Sequence, residues 1–520
     1  MTAAALTMLI LVVAVVAFIS GKIPTGLVAI GVSLVLWATG ILSLEQSFAG
    51  FSDPAVILIA ALFVVAEGLD SSGVTSWAGR ILVERGGGNQ RILTALVIVV
   101  VALLSALISV NGSVAALLPV VVVIASKAKI VPARLLVPLA FGAHSGALMT
   151  LTGSPVNVLL SEYAEHETGR PFGFFEFAGV GIPLFIGSVL IAMFFANRLI
   201  PKRSPDVITR DLSDQIRVLA REYPVVAGDG VNFNEHTGLA EVVIAPRSGL
   251  VGSSAFPGMV TESGDLVIAA IRRGGDVIDG KTKLQPGDML LLEGRWEHLD
   301  SNLRDPDVVV VDEPDAVRRQ AAPLGWRAWA ALGILASMVL LLATGALPPA
   351  VTGLLAAAAM VLTRVVSVQR AHRAINWTTL LLVAGMIPMS TAITNTGAAA
   401  SIAAMLVRLV GDAGPTMVLL ALGIVSIIFG QLISNTATAL VIAPIAVSVA
   451  QSMHLSPLPF LMSTVVVCAA AFLTPVATPA NLMIMGPGGL RFGDYWKFGL
   501  PFVLLYLVVG VFYVPLIWHF

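Results

Sequence analysis

The chain has 520 residues, of which 57% are hydrophobic and 12% charged, with a formal net charge of −1 and a mean hydropathy of +0.92. Soluble domains carry about 25% charged residues, so most of this chain cannot face water, and its charge points to no polyanionic partner such as nucleic acid. The single cysteine, Cys468, excludes a disulfide within the chain.

Apolar helical segments are predicted at about 4–19, 25–42, 55–70, 91–108, 113–126, 132–158 and 174–199. A polar stretch follows over about 202–322. Seven more apolar segments then come at about 326–345, 350–364, 378–394, 416–433, 437–451, 458–485 and 498–518. Several of these runs are long enough to cross a hydrocarbon layer of ~30 Å. The first has no basic region ahead of it and no clear cleavage site behind it, so it is expected to be a retained membrane helix.

The two sets have the same rhythm, and an offset of 324 residues superimposes them. Gly21-Lys-Ile-Pro24 falls on Gly345-Ala-Leu-Pro348, Leu44 on Val368, Gly73 on Gly397, Asn111 on Asn435 and Ser154-Pro-Val-Asn157 on Thr478-Pro-Ala-Asn481. Pro119 and Pro444 need an offset of 325, so a residue has been gained or lost nearby. If 91–126 is a re-entrant hairpin, each half has an odd number of crossings and the second half is inverted. Lys22, Arg80, Arg85, Arg91, Lys127, Lys129, Arg134, Arg198, Lys202, Arg203, Arg318, Arg319, Arg327, Arg364, Arg370, Arg373, Arg491 and Lys497 then share the cytoplasmic side. The opposite side keeps Arg170 and Arg408 among the acidic Glu45, Asp53, Glu162, Glu165 and Glu167. This positive-inside bias selects the inverted arrangement.

The expected fold class is therefore an α-helical polytopic membrane protein. It comprises two inverted repeats, 1–200 and 323–520, each of five transmembrane helices plus a re-entrant hairpin. A small α+β cytoplasmic domain is inserted between them over 204–318. Within the insert, Leu239–Ile244, Leu266–Ile271 and Met289–Glu293 read as strands, with turns at Gly264-Asp265 and Gly287-Asp288. The text Gly238–Gly252, Gly264–Arg273 and Leu284–Leu292 resembles the RCK C-terminal (TrkA-C) regulators over about 215–305. That resemblance implies a ligand-sensing or dimerising module, and a rigid brace is the plainer alternative.

Four polar breaks interrupt the apolar segments. Two lie at the tips of the proposed hairpins: Ser109-Val110-Asn111-Gly112-Ser113, with Pro119 beyond it, and Ser434-Asn435-Thr436-Ala437-Thr438, with Pro444 beyond it. The other two interrupt the following spans: Thr152-Gly153-Ser154-Pro155-Val156-Asn157, and Thr474-Pro475-Val476-Ala477-Thr478-Pro479-Ala480-Asn481. Unwound backbone at membrane depth is tolerated only inside protein or along a cavity, and paired interruptions in two halves point to a transport site. Carbonyl, amide and hydroxyl oxygens make a neutral cage suited to Na⁺ near Asn111 and Asn435, while helix N-termini at the tips can face an anion. Ser, Thr and Gly also serve simple packing between membrane helices, but four motifs in two matched pairs favour a site.

These motifs resemble the divalent anion–sodium symporter (citrate transporter-like) family, which has a Ser-Asn-Thr motif at each hairpin tip and a Thr-Pro-x-Asn break in the next span. Ser434-Asn435-Thr436 and Thr478-Pro479-Ala480-Asn481 match outright, and Ser154-Pro155-Val156-Asn157 differs by Ser for Thr. The first tip departs: counting from Pro119 places Ser109-Val110-Asn111 on the motif, whereas the 324 offset places Asn111 on its Asn. Either register lacks one side-chain oxygen. The resemblance implies a homodimeric, elevator-type, Na⁺-coupled importer of sulfate or di- or tricarboxylates in the inner (plasma) membrane. Both termini would lie outside, and the cytoplasmic domain would be regulatory.

Other residues carry less. Glu67 and Asp70 are expected at a solvated helix end, and His144 in a packing role, with substrate contact or proton relay as alternatives. No His/Cys/Asp/Glu cluster has metal-ligand spacing, no phosphate-cradling loop is present and no nucleophile–base set suggests an enzyme, so no cofactor beyond the coupling ion is expected. The rival readings are an ion channel or cation/proton antiporter gated by the RCK-like domain, and a non-transporting membrane sensor. A filter such as TVGYG and a mid-helix carboxylate are missing for the first. Substrate flux would decide the second.

Overall fold

Nine helices among the described residues are long and apolar enough to cross a membrane, and they make the chain a multi-pass helical membrane protein. The structure, a computed structural model, describes residues 2–20, 22–75, 77, 90–128, 130–201, 237–245, 248–261, 263–274, 276–278, 280–295, 298–299, 308–310, 325–410 and 414–520. Arg80, Arg85, Lys129, Lys202, Arg203, Arg318, Arg319 and the remainder of the 204–318 insert lie outside the described residues.

The first half contains α1 (Ala3–Ser20), α2 (Thr25–Ala38), α3 (Leu44–Phe48), α4 (Pro54–Ser71), α5 (Gln90–Leu107), α6 (Val110–Lys127), α7 (Ala133–Ala147), α8 (Pro155–Thr168) and α9 (Ala178–Leu199). The second contains α10 (Trp326–Thr344), α11 (Pro349–Leu362), α12 (Val368–Ala374), α13 (Trp377–Asn395), α14 (Ala398–Val410), α15 (Pro415–Leu432), α16 (Asn435–Ser452), α17 (Pro457–Cys468), α18 (Pro479–Met485) and α19 (Tyr495–Val508). The predicted spans at 132–158 and 458–485 are each interrupted. Helix stops at Ala147 and resumes at Pro155, and stops at Cys468 and resumes at Pro479.

Residues 324 apart take the same local structure. Thr39 and Thr363 end α2 and α11, each donating its hydroxyl to a carbonyl four residues back at 2.7 Å. The next residue is left-handed in both, Gly40 at φ 69° and Arg364 at φ 56°. Gly adopts that conformation freely; Arg364 is held there by the bond that follows, Val366 N to Met360 O, the counterpart of Leu42 N to Leu36 O. Ser43 and Ser367 then cap α3 and α12, accepting from the N–H three residues on.

Close helix contacts need small residues because lipid supplies no hydrophobic drive between helices. A Cβ at Gly385 of α13 would lie 2.6 Å from the Ala29 backbone of α2, and the hydroxyl of Ser33 donates to Gly385 O at 3.0 Å. Gly353 of α11 likewise packs on Leu58 and Ala61 of α4. The halves also meet through an aromatic cluster, in which Phe141 lies 4.6 Å from Phe472 and 5.0 Å from Phe502 between ring centroids. Helix α14 is absent from the sequence prediction. It shows the helical spacing Ala399, Ile402, Ala403 and Leu406, and Ala403, with Ile402 and Leu406 beside it, packs into the core that includes Val418, Leu422 and Val449.

A separate compact unit comprises 70–77 and 210–329. Its described residues form a five-stranded antiparallel sheet of order β4-β3-β6-β1-β7 and a two-stranded pair β2-β5. The strands are β1 (Thr237–Ile244), β2 (Ser254–Ala255), β3 (Leu266–Arg273), β4 (Asp276–Val277), β5 (Thr282–Lys283), β6 (Met289–Arg295) and β7 (Val308–Val310). The three strands read from the sequence are its centre, and Val242, Ile244, Leu266, Ile268, Leu290 and Leu292 form one buried cluster. Gly264 and Gly287, at φ 76° and 87°, make the two turns their Gly-Asp pairs signal. Arg273 binds Asp288 through two bonds of 2.7 Å, and that guanidinium holds the Asp288 carboxyl below the usual carboxylate range.

Candidate functional site

Each hairpin tip is a serine-capped helix start. Ser109 Oγ accepts from Gly112 N and Ser434 Oγ from Ala437 N, both at 3.2 Å, opening α6 and α16. The shared capping role aligns Ser109 with Ser434, an offset of 325, as Pro119 and Pro444 also require. Val110 therefore stands where the second half has Asn435, Asn111 where it has Thr436, and Ser113 where it has Thr438. The 324 offset, which would pair Asn111 with Asn435, does not hold at the tip. Asn111 and Gly112 are exposed, Asn435 and Thr436 are half-buried, and Ser113 and Thr438 are buried.

The interrupted spans return to the 324 register. Asn157 Nδ2 donates to Ala147 O at 2.9 Å and Thr150 O at 2.8 Å. Asn481 Nδ2 donates to Ala471 O at 2.8 Å and Thr474 O at 3.1 Å. Each amide thus ties both edges of an unwound loop across its own helix start. Both helices restart with Pro at their first position, after capping residues Ser154 and Thr478, which suits the fixed φ and missing N–H of proline. Gly153 packs so tightly on Ala147 O that a Cβ there has no room. Its counterpart Ala477 is buried too.

Hairpin and break are joined within each half. The Thr150 hydroxyl donates to Ala106 O at the end of α5, and the Thr474 hydroxyl to Gln431 O at the end of α15. Between halves the packing is crossed. Helix α8, after the first break, lies on α16 and α17, while α18, after the second break, lies on α6 and α7. The four motifs are therefore carried by helices packed on one another, although they are far apart along the chain.

The polar atoms left over define what this region can bind. Asn157 Oδ1, Asn481 Oδ1, Asn435 Oδ1, Thr152 Oγ1 and Ser113 Oγ are buried with no hydrogen-bond partner among the described residues. Leaving such an atom unsatisfied costs about 1–3 kcal/mol. The amide Oδ1 atoms only accept, so a donor or a cation must meet them. None of the motifs contains a charged side chain, and the fixed field that they offer an anion is the partial positive charge at the helix starts they carry, such as those of α6, α8 and α16.

His144 is buried and lies edge-on to Phe472 at 5.3 Å; its Nε2 has no partner among the described residues. Asp70 accepts from the Thr75 hydroxyl at 2.8 Å. Sequence reasoning missed Thr150 and Gln431, because their roles come from bonds to backbone groups that no motif displays. The match of Thr150 to Thr474 across the repeat was the available signal for the first; Gln431 falls opposite Ala106, which gave none.

The family model for CitMHS, described as citrate transporter, matches residues 15–466. The chain is 29% identical over 603 aligned positions to an uncharacterized transporter, YfbS, of Escherichia coli (strain K12), covering 98% of each chain. It is 25% identical over 288 positions to sodium/sulfate cotransporter 1 of Chlamydomonas reinhardtii, covering 53% of this chain and 32% of that one. To the L-tartrate/succinate antiporter of Escherichia coli (strain K12) it is 30% identical over 148 positions, covering 27% and 30%.

Proposed function

Because the chain belongs to the CitMHS citrate transporter family, and so is a multi-pass membrane transporter, we propose that it is a Na⁺-coupled symporter of a small divalent anion, sulfate or a di- or tricarboxylate. The observation that carries this reading is the matched pair Asn157 and Asn481, whose N–H groups are used on the break carbonyls while each Oδ1 is buried and unpartnered. One Na⁺ would sit near Asn157, Thr152, Ser113 and the tip at Asn111, and a second near Asn481, Asn435 and the break at Thr474–Thr478. Sodium in those positions supplies the positive potential that the side chains lack. The anion then binds well only when the cations are present, and this mutual dependence is the coupling. The sodium/sulfate and tartrate/succinate relatives support an anion of this class.

In the same reading the halves are inverted, and the two hairpins with the broken spans move as one body against a frame that includes α2, α4, α11 and α13, in an elevator cycle. The chain forms a homodimer in the inner membrane, with the sheet unit cytoplasmic and acting as an RCK-like regulatory module. The deciding experiment is uptake of radiolabelled sulfate, succinate and citrate into proteoliposomes of the purified protein. Uptake of one of them driven by an inward Na⁺ gradient, and lost when K⁺ replaces Na⁺, is expected. Uptake indifferent to Na⁺, or strictly dependent on a counter-anion inside, overturns the symport reading.

A further inference from the structure

At one point the two halves of the site are built differently. In the first, Met149 N donates directly to Gly146 O at 2.9 Å, closing a turn at the start of the break. The counterparts of those atoms are Leu473 N and Ala470 O, and a carboxamide stands between them. Gln431 Oε1 accepts from Leu473 N at 2.9 Å, and Gln431 Nε2 donates to Ala470 O at 3.0 Å. The same Nε2 lies 3.2 Å from Ile427 O, one turn back in α15.

The position equivalent to Gln431 is Ala106, since each gives its own carbonyl to the matching threonine, Thr150 or Thr474. An alanine cannot reach the break. There the helices touch directly instead, with Gly146 against the backbone of Ala102, where a Cβ would not fit.

We infer that Gln431 is a positioning residue for the second cation site: its inserted carboxamide holds the second break open and ties it to the hairpin that bears Asn435. The assignment rests on the symport reading. Gln431 is followed within a few residues by Ser434-Asn435-Thr436, while Leu473 and Thr474 lead into the loop clasped by Asn481. One side chain thus fixes the relation between two buried acceptors, Asn435 Oδ1 and Asn481 Oδ1. A cation shared between hairpin and break needs that relation fixed before it arrives; otherwise its binding must also order the loop. The first half has the Thr150 bond and direct helix contact at Gly146 in place of the carboxamide.

The experiment is uptake at varied Na⁺ by proteoliposomes of the full chain, comparing wild type with Q431A and with Q431M, which keeps the length and volume but not the amide. Each preparation is checked for monodispersity, and Na⁺-induced thermal stabilisation is read on the same samples. Both variants should need at least tenfold more Na⁺ for half-maximal uptake and half-maximal stabilisation. The maximal rate at saturating Na⁺ should stay within about threefold, and half-saturation by substrate there should be unchanged. A residue that merely supported the fold would lower the rate and the yield at every Na⁺ concentration. Gln451→Ala, which removes a 3.1 Å bond to Glu167 away from the site, should behave as wild type. Na⁺-dependent wild type with unshifted Q431A and Q431M overturns this assignment and leaves symport standing. Wild-type uptake indifferent to Na⁺ overturns symport, and the assignment with it.

Discussion

The two hairpin–break pairs descend to the same backbone geometry but not to the same chemistry. Both breaks are clasped by an asparagine, with all four amide bonds between 2.8 and 3.1 Å. Both hairpins end in a serine cap and lend a carbonyl to a threonine. At the tip, however, Val110 stands in place of Asn435, and at the end of the first hairpin arm Ala106 in place of Gln431. Repeated backbone bonds therefore preserve the shape of a site, while the side chains that complete its coordination are free to diverge. On the proposed reading, a symmetric scaffold with unequal cation sites follows.

That inequality can be broken experimentally, beginning with the greatest loss. Asn435→Ala removes an acceptor that has no substitute in its half, and should reduce Na⁺-dependent uptake at least 100-fold with normal amounts of protein in the membrane; near-normal uptake would refute the assignment of Asn435. Asn481→Ala and Asn157→Ala each free two break carbonyls. Both should cut uptake more than tenfold, and Asn157→Ala should also lower thermal stability more, since its loop has no carboxamide brace. Equal melting temperatures for the two variants would show that the halves are mechanically alike. Adding the missing oxygen is the gentler test: Val110→Asn should lower the Na⁺ concentration for half-maximal uptake two- to fivefold, read from the same uptake curves.

The smallest effect on transport is expected in the sheet unit. Asp288 is 1% exposed and held by Arg273. Its carboxyl is depressed in the folded state, so its contribution is present above the unfolded value of about 3.9 and is lost as pH falls through its folded value. Asp288→Asn should therefore speed amide exchange in β3 and β6 several-fold at pH 7. The difference from wild type should shrink as pH drops towards 3, with uptake at saturating substrate unchanged. A difference that persists at low pH would mean that packing, not the ion pair, holds those strands.

Periodicity and breakers carried much of the architecture into view. Long apolar runs marked the spans, because a ~30 Å apolar layer admits few other solutions. Pro155 and Pro479 marked the broken helices, because proline at a first helical position fits a restart and not a continuous interior. Helix α14 escaped notice because its 13 residues are too few for a membrane span, and small residues, Ala399 and Ala403, fill much of its buried face. The register at the first tip also stayed open until the caps were seen. A one-residue shift in the hairpin is compensated before Thr150, and a residue count cannot reveal where.

The order of residues by itself determined the kind of molecule, its repeated halves and the four polar interruptions, for these follow from local burial and from backbone groups that have no water to bond. The tertiary structure decided which oxygens remain without partners, which helix of one half lies on which arm of the other, and that a glutamine stands where its counterpart is an alanine. Those outcomes depend on bonds between segments tens to hundreds of residues apart, such as Gln431 with Leu473 and Phe141 against Phe472. Spacing along a chain does not encode them.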